Sequence, residues 1–276
     1  MATSTVVLLV ITAAYGLVIG SFLNVVIHRL PREQSLLRPR SRCPACGAGI
    51  AWYDNVPVLS YLALGGRCRR CRAAISPRYP LVEAAAAGLL VAVAARWGLT
   101  VAGLAAATLV LLLLALALID LEHHLLLDVL TLPGLVAGVA LAALGGSLLG
   151  PLGGTVLRSS GPLVSAVASW LLGAAVGALV PYLVIVAYRV IRGGEGMGLG
   201  DVKFLAMIGA FLGWKGALLT IGLGSVFGAV VGLGLIAAGS GRRDTELPFG
   251  TFLALGALVT LFAGAPLMRL LGWIRP

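Results

Sequence analysis

Charge is scarce in this sequence. Only 11% of its 276 residues are Asp, Glu, Lys or Arg, 60% are hydrophobic, and the mean hydropathy is +1.05. A soluble domain carries about a quarter charged residues, so that class is excluded. Strand-like alternation is missing as well. The apolar stretches, rich in Leu, Ala and Gly, run far longer than barrel strands, which excludes a membrane β-barrel. Basic residues are missing ahead of the first apolar run, MATSTVVLLVITAAYGLVIGSFLN, and come only after it. The run therefore reads as an uncleaved first span with its N-terminus outside, not as a signal peptide. There is no long disordered linker and no convincing internal repeat. An all-α integral membrane protein remains, and its 38 glycines suit helices whose backbones pack closely in lipid.

Eight spans are predicted, near residues 5–27, 81–97, 101–120, 126–149, 162–190, 201–214, 216–239 and 249–271. The short 201–214 span has a Gly-rich entry that suits irregular backbone lining a cavity. Of the 20 Lys and Arg, ten lie between Arg29 and Arg78. Arg189, Arg192, Lys203, Arg242 and Arg243 fall on the same side, leaving Arg96, Arg158, Lys215, Arg269 and Arg275 on the other. That asymmetry marks the large loop as cytoplasmic; beside membrane spans it speaks for sidedness, not nucleic acid. The expected organisation is a first helix (1–27), a basic loop domain (28–80) and a seven-helix membrane core (81–276).

The loop holds all four cysteines, as Cys43-Pro-Ala-Cys46 and Cys68-Arg-Arg-Cys71. Each pair supplies two thiolates from one turn, and two such turns make a tetrahedral site. The pattern predicts a zinc-ribbon-like module with Zn2+ held by Cys43, Cys46, Cys68 and Cys71, against a redox dithiol or unliganded cysteines as alternatives. Four thiolates leave no open position for water, so this zinc is structural. In a loop with little core it contributes much of the folding energy.

Two carboxylates stand where hydrocarbon begins. Asp120 ends the third span in LLLLALALID, and Asp201 opens the sixth in GMGLGDVK. Ionisable residues at that depth are functional candidates by default. Facing each other they could not both ionise cheaply, and one would keep a proton. That division is the chemistry of an aspartyl protease: the ionised Asp takes a proton from water while the protonated one polarises the scissile carbonyl. Gly198 and Gly200 would let an extended substrate approach Asp201. The plainer readings are a helix cap for Asp201 and a solvated helix end for Asp120. The pair would also suit a proton relay in a transporter. Glu122, His123 and His124 lack HExxH spacing and read as a wet turn. Asp128 reads as the cap of the fourth span, and Lys203 as a snorkelling side chain. Glu83 sits near the start of the second span, where an acid suits the helix dipole, or faces the bundle interior.

Several segments together resemble one family, the type IV prepilin peptidases. They are GSFLNVVIHRLP (20–31), CPACG and GGRCRRC (43–47, 65–71), NVPVLSYLALGG (55–66), ISPRYPLVE (75–83), LIDLEHHLLLDVLTLP (118–133), GMGLGDVK (196–203) and LPFGTFLALG (247–256). The resemblance covers nearly the whole chain. It implies a polytopic inner-membrane aspartic protease of the GxGD class with Asp120 and Asp201 as its dyad. The implied substrates are prepilins and type II secretion pseudopilins, whose short basic leaders are cut after glycine on the cytoplasmic side. It also implies N-methylation of the new terminus from S-adenosylmethionine, an activity tied to the cysteine-bearing loop. The loop itself shows no cofactor fingerprint such as GxGxxG within a βαβ unit. A basic loop would repel a basic leader, so Glu122, Glu195 and Glu246 are expected leader contacts. The chain departs from the family's D-x-D…LPD pattern at Glu122 and Leu127. Two rival readings are a proton-coupled transporter using Asp120 and Asp201, and a membrane-tethered zinc-ribbon adaptor.

Overall fold

A computed structural model describes residues 2–144, 162–193, 197–239 and 247–273. Its regular elements are helices: α1 (Ala2–Arg29), α2 (Leu59–Ala63), α3 (Arg78–Trp97), α4 (Val101–His123), α5 (Asp128–Ala143), α6 (Pro162–Arg192), α7 (Leu199–Ala237) and α8 (Phe249–Leu270). Six of the described helices are long and apolar enough to cross a membrane, and α5 is a shorter apolar helix. The chain is a multi-pass, all-helical membrane protein. Large apolar side chains such as Val6, Val10, Ile11 and Val18 of α1 are exposed, as lipid-facing residues are.

The chain divides into two compact units, Met1–Gly98 and Leu99–Pro276. In the first, α1 packs on α3. A Cβ on Gly20 would come within 2.6 Å of the Glu83 Cα, and one on Gly16 within 2.6 Å of the Ala87 Cα. These glycines let the two backbones touch, so α3 groups with α1, although the sequence placed residue 81 at the start of the later core.

In the second unit, α6 and α7 meet through Gly173, Gly177 and Gly209, where any Cβ would strike the facing backbone. The helical geometry of α7 breaks at Gly213 (φ 71, ψ 176). The sequence separates its 201–214 and 216–239 spans at this place. Helices α7 and α8 also pack on each other, with the Thr220 and Thr260 hydroxyls 3.3 Å apart in the interior.

Candidate active site

Asp120 belongs to the last turn of α4. Thr100 caps the start of that helix, accepting from the Gly103 N–H at 3.0 Å. At the other end His124 turns left-handed (φ 52) and its N–H closes on the Asp120 carbonyl at 2.8 Å. The Asp120 side chain points inward and is only 5% exposed.

Its Oδ2 is held by the N-terminus of α8. The Thr251 N–H donates to it at 2.7 Å, and the Thr251 hydroxyl lies 3.1 Å from the same oxygen and 2.9 Å from the Ala117 carbonyl. Thr251 is the third residue of α8, so its N–H has no partner within that helix, and the helix dipole favours an anion there. A Cβ on Gly250 would crowd the Asp120 carboxyl at 3.0 Å, so glycine is required for this approach.

Asp201 lies in the first turn of α7 and is 9% exposed. It is not the helix cap. Gly198 holds that position in extended conformation (φ −81, ψ 151), and the Asp201 N–H returns to the Gly198 carbonyl at 3.2 Å. Asp120 and Asp201, 81 residues apart, are electrostatic neighbours. Leu126 completes the arrangement, filling the space that side chains on Gly200 and Gly250 would occupy (3.1 and 3.0 Å). The close approach at Gly200 is thus made by the chain's own loop, whereas Gly198 faces the Asp201 carboxylate. Such a buried pair of carboxylates, one with an anchored oxygen, can divide general-acid and general-base roles.

Other predicted residues fall around this pair. Glu122 is exposed just beyond Asp120 at the end of α4. Glu195 and Glu246 lie outside the described residues. Asp128 caps nothing: Leu127 is the N-cap of α5 with no side-chain cap bond, and the Asp128 carboxylate instead pairs with Lys203 Nζ at 2.6 Å. The pair ties the start of α5 to the start of α7. Lys203 accordingly has a partner and does not simply snorkel. Sequence reasoning missed Thr251, Gly250 and Leu126. The first two stand in LPFGTFLALG, but nothing local says which distant residue a helix N-terminus will serve.

The cysteine loop forms a second centre. The four Sγ atoms lie within 4.8 Å of one another, and Cys43 Sγ is 3.8 Å from Cys71 Sγ. A tetrahedral metal with bonds of about 2.3 Å sets its sulfurs roughly 3.8 Å apart, so the residues fit a metal ion. Among the described residues this is the one such cluster of His, Cys, Asp and Glu side chains.

The two half-sites repeat the same hydrogen bonds at a fixed offset. Cys43 N–H bonds Ala48 O and Gly47 N–H bonds Cys43 O; Cys68 N–H bonds Ala73 O and Arg72 N–H bonds Cys68 O. Bridges Arg42–Gly49 and Arg67–Ala74 close the two turns. Backbone N–H groups of Cys71 and Arg70 pull the Cys68 thiol down to about 6. The Ala73 N–H favours the Cys71 thiolate, but desolvation and the Cys46, Cys68 and Cys43 sulfurs outweigh it and push that thiol up to about 11. Four crowded sulfurs cannot all ionise without a cation among them. Beside them, Arg69 forks onto Asp54 (2.7–3.1 Å), whose hydrogen bond from Arg69 holds its carboxyl below the usual range.

Comparison with known proteins decides what this architecture is. The Bacterial Peptidase A24 N-terminal domain matches residues 14–97, and the Type IV leader peptidase family matches residues 107–233. The chain belongs to the type IV leader peptidase family. It is 40% identical to a prepilin leader peptidase/N-methyltransferase of Burkholderia pseudomallei (strain 1026b), over 93% of this chain and 86% of the relative. An Aeromonas salmonicida (strain A449) protein of the same name is also 40% identical, over 92% and 90%. One from Pseudomonas aeruginosa is 38% identical, over 94% and 91%. No solved structure matches. The relatives are peptidases by name, and a transporter reading of the leader-peptidase aspartates finds no support among them.

Proposed function

We propose that this chain is a bifunctional prepilin peptidase and N-methyltransferase of the bacterial inner membrane. It removes the short basic leader of type IV prepilins and pseudopilins after glycine, at the cytoplasmic face. It then methylates the exposed amine with S-adenosylmethionine as donor. What supports the proteolytic half is the burial of Asp120 and Asp201 as electrostatic neighbours from distant helices, with Leu126 packed against Gly200 beside one and Gly250 beside the other and the N-terminus of α8 on Asp120.

In this reading, one carboxylate of the pair is ionised and takes a proton from the attacking water. The other is protonated and donates a hydrogen bond to the scissile carbonyl. The tetrahedral species then collapses, and a proton passes to the leaving amine. The Thr251 N–H and hydroxyl fix Asp120 Oδ2 and so hold the carboxyl in one orientation toward substrate and water. Glu122, and by charge Glu195 and Glu246, receive the basic leader. Zn2+ on Cys43, Cys46, Cys68 and Cys71 orders the loop and takes no part in hydrolysis.

The test is cleavage of a purified prepilin in detergent by the wild type, Asp120→Asn and Asp201→Asn, matched for folding and metal content. Each variant loses cleavage. Normal cleavage by either removes that carboxylate from the mechanism.

A further inference from the structure

The first unit holds a buried carboxylate that the proteolytic chemistry does not use. Glu83 of α3 is 7% exposed because Gly20 of α1 brings the two helix backbones together beside it. Its Oε2 accepts from the Val58 N–H at 2.7 Å, and the Ser21 hydroxyl of α1 also bonds the carboxylate. Both donors are neutral. They satisfy the carboxylate's oxygens without balancing its charge.

One helical turn from Ser21 stands Asn24, 5% exposed. Its Nδ2 donates to the Tyr79 carbonyl at 3.1 Å, which fixes the orientation of the amide. Its Oδ1 is buried without a hydrogen-bond partner among the described residues. Buried acceptors left unmet are costly and call for an explanation.

The loop that reaches Glu83 is itself strained. Val58 has φ 58 and ψ −49, a conformation that β-branched residues avoid. Held strain of this kind clusters at functional sites. Here it aims the Val58 N–H at the carboxylate.

Beside the cluster lies an open cleft of about 280 Å³. Ser21 belongs to both. The α1 wall is apolar (Val18, Phe22, Val25), and the loop wall carries Ser41, Asn55 and Pro57, the residue before Val58. Among the described residues the cluster has one unmet acceptor, Asn24 Oδ1, and the named partners of Glu83 are neutral, while the cleft offers an apolar seat next to it. The missing component is a group rich in N–H donors and positively charged.

We propose that Ser21, Asn24 and Glu83 form the subsite that receives a primary ammonium group for methyl transfer. The proposal rests on the methyltransferase half of the function above and deepens it. The ammonium is either the new N-terminus of the cleaved substrate, whose hydrophobic first residues would lie along Val18, Phe22 and Val25, or the α-amino group of the methyl donor. For the substrate amine, Glu83 also has a chemical role. Its carboxylate takes one proton from the ammonium. The freed nitrogen lone pair forms the N–C bond as the sulfonium S–C bond breaks, and the positive charge passes from sulfur to the methylated nitrogen. The proton on Glu83 then leaves to water.

The experiment uses the full-length enzyme in detergent with three readouts: prepilin cleavage, methyl transfer to a pre-cleaved peptide bearing a free N-terminal amine, and S-adenosylmethionine binding by equilibrium dialysis. Glu83→Gln should leave cleavage within about twofold and lower methyl transfer at least about thirtyfold, since a buried charge loses its partner. A rise of about tenfold in peptide KM with donor Kd unchanged assigns the amine to the substrate. A rise in donor Kd with peptide KM unchanged assigns it to the donor. The milder Ser21→Ala, which leaves helix packing intact, should lower methyl transfer about threefold to tenfold. Methyl transfer near wild type in both variants overturns the subsite. So does a Glu83→Gln loss of all three readouts together with an unaffected Ser21→Ala, which marks Glu83 as a packing residue. A wild type that cleaves but never methylates overturns the methyltransferase reading itself.

Discussion

Glu83 and Asp120 are held in the same way but are left in different company. Each is a carboxylate buried on a membrane helix, and each accepts from backbone N–H and from a hydroxyl: Val58 and Ser21 for Glu83, Thr251 with the neighbouring Gly250 N–H for Asp120. Near Asp120 stands a second carboxylate, Asp201. In the unit of Glu83, one turn along α1 from its partner Ser21, stands instead an amide whose oxygen, Asn24 Oδ1, is buried without a partner among the described residues. Two carboxylates can share a proton and split water between them. One carboxylate near a spare acceptor awaits a cation. The same anchoring therefore serves opposite needs, and the neighbour decides which.

The most severe way to break this comparison is to neutralise one member of the pair. Asp120→Asn should lower cleavage by at least about 10³-fold, as loss of one member of a catalytic unit does, while methylation of a pre-cleaved peptide stays within about twofold. Parallel assays on one preparation check both halves.

Next in size is the metal. Cys46→Ser, or a strong chelator, should cost at least about tenfold in methyl transfer because loop folding is coupled to metal binding, with cleavage far less affected. Elemental analysis gives the metal and its stoichiometry. The ligand is the thiolate, and protons compete for it, so retention must weaken as pH falls. The thiol pushed up to about 11, Cys71, binds its proton more tightly than the one drawn down to about 6, Cys68. A chromophoric chelator followed from pH 8 to 5 should report faster release at the acid end.

The anchor itself is a smaller lever. Thr251→Val keeps the N–H on Asp120 but removes the hydroxyl, and cleavage should fall about tenfold, the value of one hydrogen bond to a charged group. Thr251→Ser should restore it. The least effect belongs to Asp128→Asn. Its pair with Lys203 is half in solvent, such pairs are worth about 0–1 kcal/mol, and cleavage should change by no more than about threefold. A larger loss would mean that the pair sets the spacing of α5 and α7 at the site.

The membrane class, the four-cysteine centre and the candidate dyad were legible in the residues alone. Length and hydropathy of a run decide whether it can span lipid, CxxC spacing is a local geometry, and an acid at the edge of hydrocarbon is conspicuous because burial is costly there. The partners of those residues were not legible. Asp128 looks like a cap in HHLLLDVLTLP, yet Leu127 takes that place, because a cap depends on backbone angles that a distant lysine can help to set. Thr251 is 131 positions from Asp120, and no local pattern pairs them. Glu83 read either as a dipole-friendly acid or as one facing the bundle interior; it faces the interior, but its partners came only with Gly20 bringing α1 against α3 and the strained Val58 meeting it. Composition and spacing determined which side chains are costly to bury and hence which ones matter. Packing alone decided what each of them faces, since a hydrogen bond depends on separation in space and not on separation along the chain.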